Sequence, residues 1–133
     1  MNEKLRCLVL TGISKSTLDA LLKREIRSIE LRSAHNVVTA LKAEVGSYVL
    51  LTPARLNDLD KGITGIVAEV MGKEVMSHSL FFASNSYFEE CEMTAVRLIL
   101  KPKGFGRVIS ISNPGILDIR EAEVVCITHF DAG

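Results

Sequence analysis

From Gly62 onward the chain alternates apolar and polar residues with a period of two, and this alternation restricts the possible folds more than any other feature. In "GITGIVAEV", Ile66, Ala68 and Val70 alternate with Val67 and Glu69, and in "TAVRLILK", Val96, Leu98 and Leu100 alternate with Arg97, Ile99 and Lys101. Successive side chains of a strand point to opposite faces, so each stretch predicts a strand with one face in a core. "RVISIS" and "EVVCITHF" predict two more, separated by the turn-rich "NPGILDIRE".

The first sixty residues add the remaining elements. A strand over Leu5–Thr11 stops at Gly12, and "SKSTLDALLKRE" follows, with Ser16 and Asp19 at capping-box spacing and Leu18, Leu21 and Leu22 on one helical stripe. That pattern predicts an amphipathic helix of about three turns. Asn36 is placed to cap a second short helix over Val37–Ala43, and Gly46 turns the chain into the strand "SYVLLT", ended by Pro53. Six or seven short strands with one or two early helices make an α+β fold. Gly and Pro punctuation between the strands favours a closed or nearly closed barrel, which removes unpaired edges, with the helices packed on one end. At 133 residues the chain suits one domain, 1–133.

Charge and cysteine usage bound the setting. Sixteen basic residues balance sixteen acidic ones, which argues against gripping long nucleic acid by bulk charge and leaves room for a local basic patch. The first apolar run, Cys7 to Leu10, is too short for a signal-peptide core, and no stretch approaches a membrane span. Cys7, Cys91 and Cys126 are odd in number and lack CxxC spacing. Reduced thiols in a cytoplasmic protein are the expectation. His35, His78 and His129 have no second ligand-type residue at metal spacing, and no phosphate-cradling or nucleophile-elbow motif occurs, so neither a metal nor a cofactor is expected.

Two stretches carry candidate binding residues. In "EIRSIELR", strand parity places Ser28, Glu30 and Arg32 on one face and Arg27, Ile29 and Leu31 on the other. One reading is a solvated face with an i, i+2 ion pair worth under about 1 kcal/mol. The other is a ligand site in which Arg32 forks onto a phosphate or base edge and Glu30 accepts from an exocyclic amine. In "LKPKGFGRV", Lys101, Lys103 and Arg107 surround Phe105 on an expected flexible turn, a mix that suits an RNA strand and equally an ordinary hairpin. "YFEECE" reads as a loop entering the strand at Thr94, with Phe88 as an anchor.

The order helix, short charged strand, Gly turn, apolar strand, together with "EIRSIELR", resembles the start of the ASCH domains of the PUA-like superfamily, whose signature is GxKxxExR. Glu30 and Arg32 match that pattern, Ser28 stands beside the Lys position, Glu25 replaces the Gly and Arg27 replaces the Lys. "CLVLTGIS" and "IELRSA" also look like a small archaeal family of unknown function. The resemblance covers roughly residues 14–71 and implies a PUA-like β-barrel whose cleft beside the helix takes RNA or a nucleotide-like small molecule, with His35 placed to help there. Some ASCH members resemble amidohydrolases acting on modified nucleosides through a Lys, a Thr and a Glu. Arg27 in the Lys position stays protonated and cannot serve as base or nucleophile, so ligand binding is the leading expectation. A hydrolase on a modified nucleoside and a protein-interaction module are the alternatives.

Overall fold

The structure is a computed structural model that describes residues 4–84, 87–113, 115 and 119–130. The elements run β1 (Lys4–Leu10), α1 (Lys15–Leu22), β2 (Ser28–Leu31), α2 (Ala34–Lys42), β3 (Tyr48–Leu51), a 3-10 turn (Leu56–Asp58), β4 (Thr64–Ser84), β5 (Tyr87–Ser112) and β6 (Glu121–His129). The six strands form one mixed sheet in the order β2-β5-β4-β3-β1-β6, in which β1 and β3 are parallel and the other neighbours antiparallel. A further antiparallel pairing of β5 with β6 bends this sheet back on itself. The result is α+β and partly ring-like. It is not a regular barrel, because β2 lies outside the ring and the β4–β5 hairpin extends beyond it.

Two apolar clusters lie on opposite faces of the same strands. Cys7 and Val9 of β1, Leu50 of β3, Val67 of β4, Val108 of β5 and Ala122, Val124 and Cys126 of β6 pack together inside the ring. On the other face Leu10, Val49, Leu51, Ile66, Ala68 and Val70 pack with Leu21 of α1, Val37 and Ala40 of α2, and Ile29 and Leu31 of β2. Strands β1 and β3 therefore read as near-continuous apolar runs, as strands covered on both faces should. The helices cover a face of the sheet and not, as expected, one end.

Several boundaries differ from the sequence reading for identifiable reasons. Helix α1 has eight residues, is capped by Ser14, whose hydroxyl accepts from the Thr17 N–H at 3.2 Å, and ends early because Arg24 adopts a left-handed φ of 60°. The Arg24 N–H bonds the Leu21 carbonyl and the Glu25 N–H bonds the Ala20 carbonyl, the paired closure of a Schellman motif that ordinarily carries glycine. Asn36 does not cap α2, which begins after Ser33. Asn36 is buried, and its side-chain amide accepts from the Thr11 N–H at 3.0 Å and donates to the Thr11 carbonyl at 2.8 Å, tying α2 to the end of β1.

The largest difference is β5. The expected strands "TAVRLILK" and "RVISIS" and the turn between them are one continuous strand, which also takes in "YFEECE" from Tyr87. The glycines that read as a turn mark close approach of another strand instead. A Cβ on Gly104 would collide with the Thr128 carbonyl of β6, and one on Gly106 with Val124 and Val67 inside the ring. Pro102, lacking an N–H, sits where the β4–β5 register slips by one residue between Val67 and Ala68.

Candidate functional site: a cationic, aromatic cleft beside a paired charge row

Strand β2 separates two hollows. Ile29 and Leu31 are buried, and Ser28 and Glu30 point the other way. Glu30 stands opposite Arg97 of β5, and Arg97 opposite Glu74 of β4. The Arg32 Nε donates to the Glu30 carboxylate at 2.6 Å, Arg97 lies 3.6 Å from the other Glu30 oxygen, and Arg97 lies 3.5 Å from Glu74. Arg32, Glu30, Arg97 and Glu74 thus form an alternating ladder across three strands in which each charge already faces an opposite one. The hollow at the Arg32 end is small, about 290 Å³, and is lined by Gly12, Ser14, Thr17, Glu30, Arg32 and Asn36 among others.

On the other side of β2 lies a half-open cleft of about 890 Å³. Its floor is apolar: Leu21, Leu22 and Ile26 from α1 and the chain after it, Met71 from β4, and Ile99, Leu100 and Pro102 from β5. Phe105 and Phe130 contribute rings whose centroids are 5.0 Å apart at 86°, an edge-to-face pair. Arg24, Arg27, Lys101 and His129 complete the lining, and among the described lining residues none is acidic. Backbone bonds fix the rims: the Leu100 N–H donates to the Arg27 carbonyl and the Phe130 N–H to the Lys103 carbonyl, both at 2.8 Å.

The expected site residues are therefore divided. Arg27 and Lys101 meet in the large cleft, Glu30 and Arg32 line the small hollow, and Ser28 lies half-buried between them, level with Ile99. Lys103 is 3.4 Å from Glu69 and Arg107 is exposed on β5 opposite Thr64; neither lines either of these two hollows. The three cations of "LKPKGFGRV" do not share a flexible turn, because the segment is strand. His35 is partly buried on α2 with both ring nitrogens unpartnered, and lines neither hollow. Sequence reasoning missed Arg24, His129 and Phe130. An arginine at the αL position of a Schellman turn has no sequence signature, and the end of β6 reaches the cleft only through ring closure.

Among the described residues no group of His, Cys, Asp or Glu is arranged to hold a metal ion, and no helix is long and apolar enough to cross a membrane. Inside the ring, burial, with the Cys126 thiol adding, pushes the Cys7 thiol up to about 12. It is a packed apolar group and carries no nucleophilic thiolate at neutral pH.

The model of a family described as "Protein of unknown function (DUF473)" matches residues 5–122, from β1 into β6. The chain belongs to that family. No curated protein and no solved structure matches it. The matched DUF473 region contains both hollows except for His129 and Phe130 at the end of β6.

Proposed function

We propose that this DUF473 protein binds a nucleotide-like ligand, a phosphate joined to a flat base, in the 890 Å³ cleft between α1, β5 and the end of β6. The observation that carries the reading is a lining of three basic side chains and two phenylalanines over an apolar floor, with no described acidic residue, in a chain of zero net charge. The volume falls within the range of small-ligand sites, roughly 300–1,000 Å³. Guanidinium and ammonium groups recognise phosphate, and an aromatic side chain gives a base a stacking surface. Phe105 is 39% exposed. Arg24 supports the same reading: it holds an αL conformation that costs a non-glycine residue about 1–3 kcal/mol, and such strain concentrates at functional sites. The likeness of "EIRSIELR" to ASCH domains points to the same ligand class, and the buried free thiols of Cys7 and Cys126 suit the reducing interior of a cell. Hydrolysis with Glu30 as the acid/base group is less well supported. Its carboxylate already accepts from Arg32 and faces Arg97, and Arg27 stands on the other side of β2.

The test is calorimetric binding of AMP and of an oligoadenylate of about eight nucleotides at about 50 mM salt, where phosphate-driven affinity is strong. Arg24→Gly keeps the helix terminus that glycine favours while removing a cation. It, Arg27→Ala and Lys101→Ala should each weaken binding by about tenfold or more, in line with charged hydrogen bonds worth about 1.5–3 kcal/mol. Arg32→Ala should leave affinity unchanged. AMP bound as tightly as the oligomer identifies a free nucleotide, and a tighter oligomer identifies RNA. Absence of binding to both probes refutes the proposal.

A further inference from the structure

The outer part of the β4–β5 hairpin leaves the body of the protein as a two-stranded ribbon. Strand β3 covers the edge of β4 only as far as Tyr48↔Glu69, and the Gly46 and Ser47 backbones then bond Val70. Strand β2 covers the edge of β5 only as far as Leu31↔Val96. From Met76↔Ala95 to Ser84↔Tyr87 the two limbs pair with each other and, among the described strands, with no third one. That is roughly 27 Å of ribbon at about 3.3 Å per residue. A lone two-stranded ribbon is marginal in water, and each open edge is a template for another strand.

The two edges are not equivalent. The β5 limb contains Glu89, Glu90 and Glu92, and charges are a standard way to keep an edge unpaired. The β4 limb, "MSHSLFFAS", contains no Lys, Arg, Asp, Glu or Pro, and the β4 register slips only nearer its start, at Val67/Ala68 and Val70/Gly72. Among the described residues, none of the usual protections covers that edge. Exposed apolar side chains lie at its root. Val75 is 54% exposed, and Lys73 donates to the Leu41 and Ala43 carbonyls at 2.9 and 2.7 Å, which holds the end of α2, with exposed Leu41 and Val45, against β4.

We propose that the β4 limb, residues 76–84, pairs antiparallel with the same limb of a second copy of this chain, giving a four-stranded sheet in the order β5-β4-β4-β5 across a two-fold axis. Charge selects this arrangement. Pairing through the β5 limbs would set Glu89, Glu90 and Glu92 of one copy against the same residues of the other, and like charges across a ladder are destabilising. Antiparallel pairing of an uncharged limb with itself is self-complementary, as a two-fold interface requires.

Sedimentation equilibrium of the full chain at about 1–100 μM, the range of moderate self-affinity, should give twice the 14.6 kDa chain mass. The double variant Ser77→Lys with Ser79→Lys places like charges at the joined edge and should return the mass to that of one chain. Glu89→Lys with Glu92→Lys on the opposite limb should leave the dimer intact. A shortened chain in which residues 77–94 are replaced by Asn-Gly, the dipeptide suited to a tight hairpin, should fold and sediment as one chain. It keeps the test decisive if the Lys variant unfolds. A wild-type monomer across the whole range, a dimer that survives shortening, or a dimer abolished only by the β5-limb changes overturns the proposal.

Discussion

Inside the ring, Val9, Leu50, Val67 and Val124 are 0% exposed and Gly106 leaves no room for a methyl group, whereas on the outer face Arg32 keeps 68% of its side chain in solvent and Arg97 keeps 41%. The two regions depend on different physics. The interior holds together through volume: each atom has neighbours on all sides, and an added methyl has nowhere to go. The outer ladder holds together through charge alternation in a medium of high dielectric, where each pair contributes little and water readily replaces a missing partner. The ladder therefore uses its charges on one another. The cleft beyond β2 differs from both, since it joins an interior-like floor to basic side chains, and none of its described lining residues is acidic.

Three changes would sharpen or break this contrast. The largest effect is expected from Gly104→Ala. Its methyl would collide with a backbone carbonyl of β6 that cannot rotate away, so closure of β5 on β6 should be lost or strained by about 3 kcal/mol, the upper end of ordinary overpacking. Urea denaturation measures this, and a change below about 0.5 kcal/mol, typical of surface substitutions, would show that the ring is looser than described. Next comes pH. The folded Cys7 thiol titrates near 12 against 9.0 for an ordinary thiol, so the stability gained by keeping it neutral is complete below pH 9 and is lost as pH rises from 9 toward 12. The melting temperature should fall across that window more steeply than in Cys7→Ala; parallel curves would show that the thiol is hydrated. The smallest effect is expected from Arg32→Ala, which should cost under about 1 kcal/mol in the same denaturation experiment. A loss of about 3–5 kcal/mol, the signature of a stranded buried carboxylate, would move the ladder into the same class as the ring.

Much of the local structure was legible because it depends on neighbours in sequence. The parity of Ile29 and Leu31 against Ser28 and Glu30, the alternation along β4 and β5, the Leu21 stripe of α1 and a short helix ending near Lys42 all follow from periodicity. Boundaries failed where a long-range partner decided them. Asn36 has the residue type of a cap, yet its amide is used by Thr11, just past the end of β1 and far away in sequence. "KPKGFG" has the composition of a turn, yet its glycines make room for β6.

The candidate site shows the same division more sharply. Sequence selected Arg27 and Lys101 as cations of interest and Phe105 as an aromatic among cations, but it set Arg27 with Glu30 in one ASCH-like motif and Lys101 with Arg107 on one turn. Strand parity alone decided that Ser28 and Glu30 face away from the core. Only the tertiary structure decided that Glu30 is engaged by Arg32 and Arg97, and that Arg24, Arg27, Lys101, Phe105 and Phe130 line one cleft. The physical reason is that periodicity fixes which way a side chain points from its own strand. What it meets there is set by pairings between strands far apart in the chain, here β2 with β5 and β5 with β6, whose register depends on how the whole sheet closes.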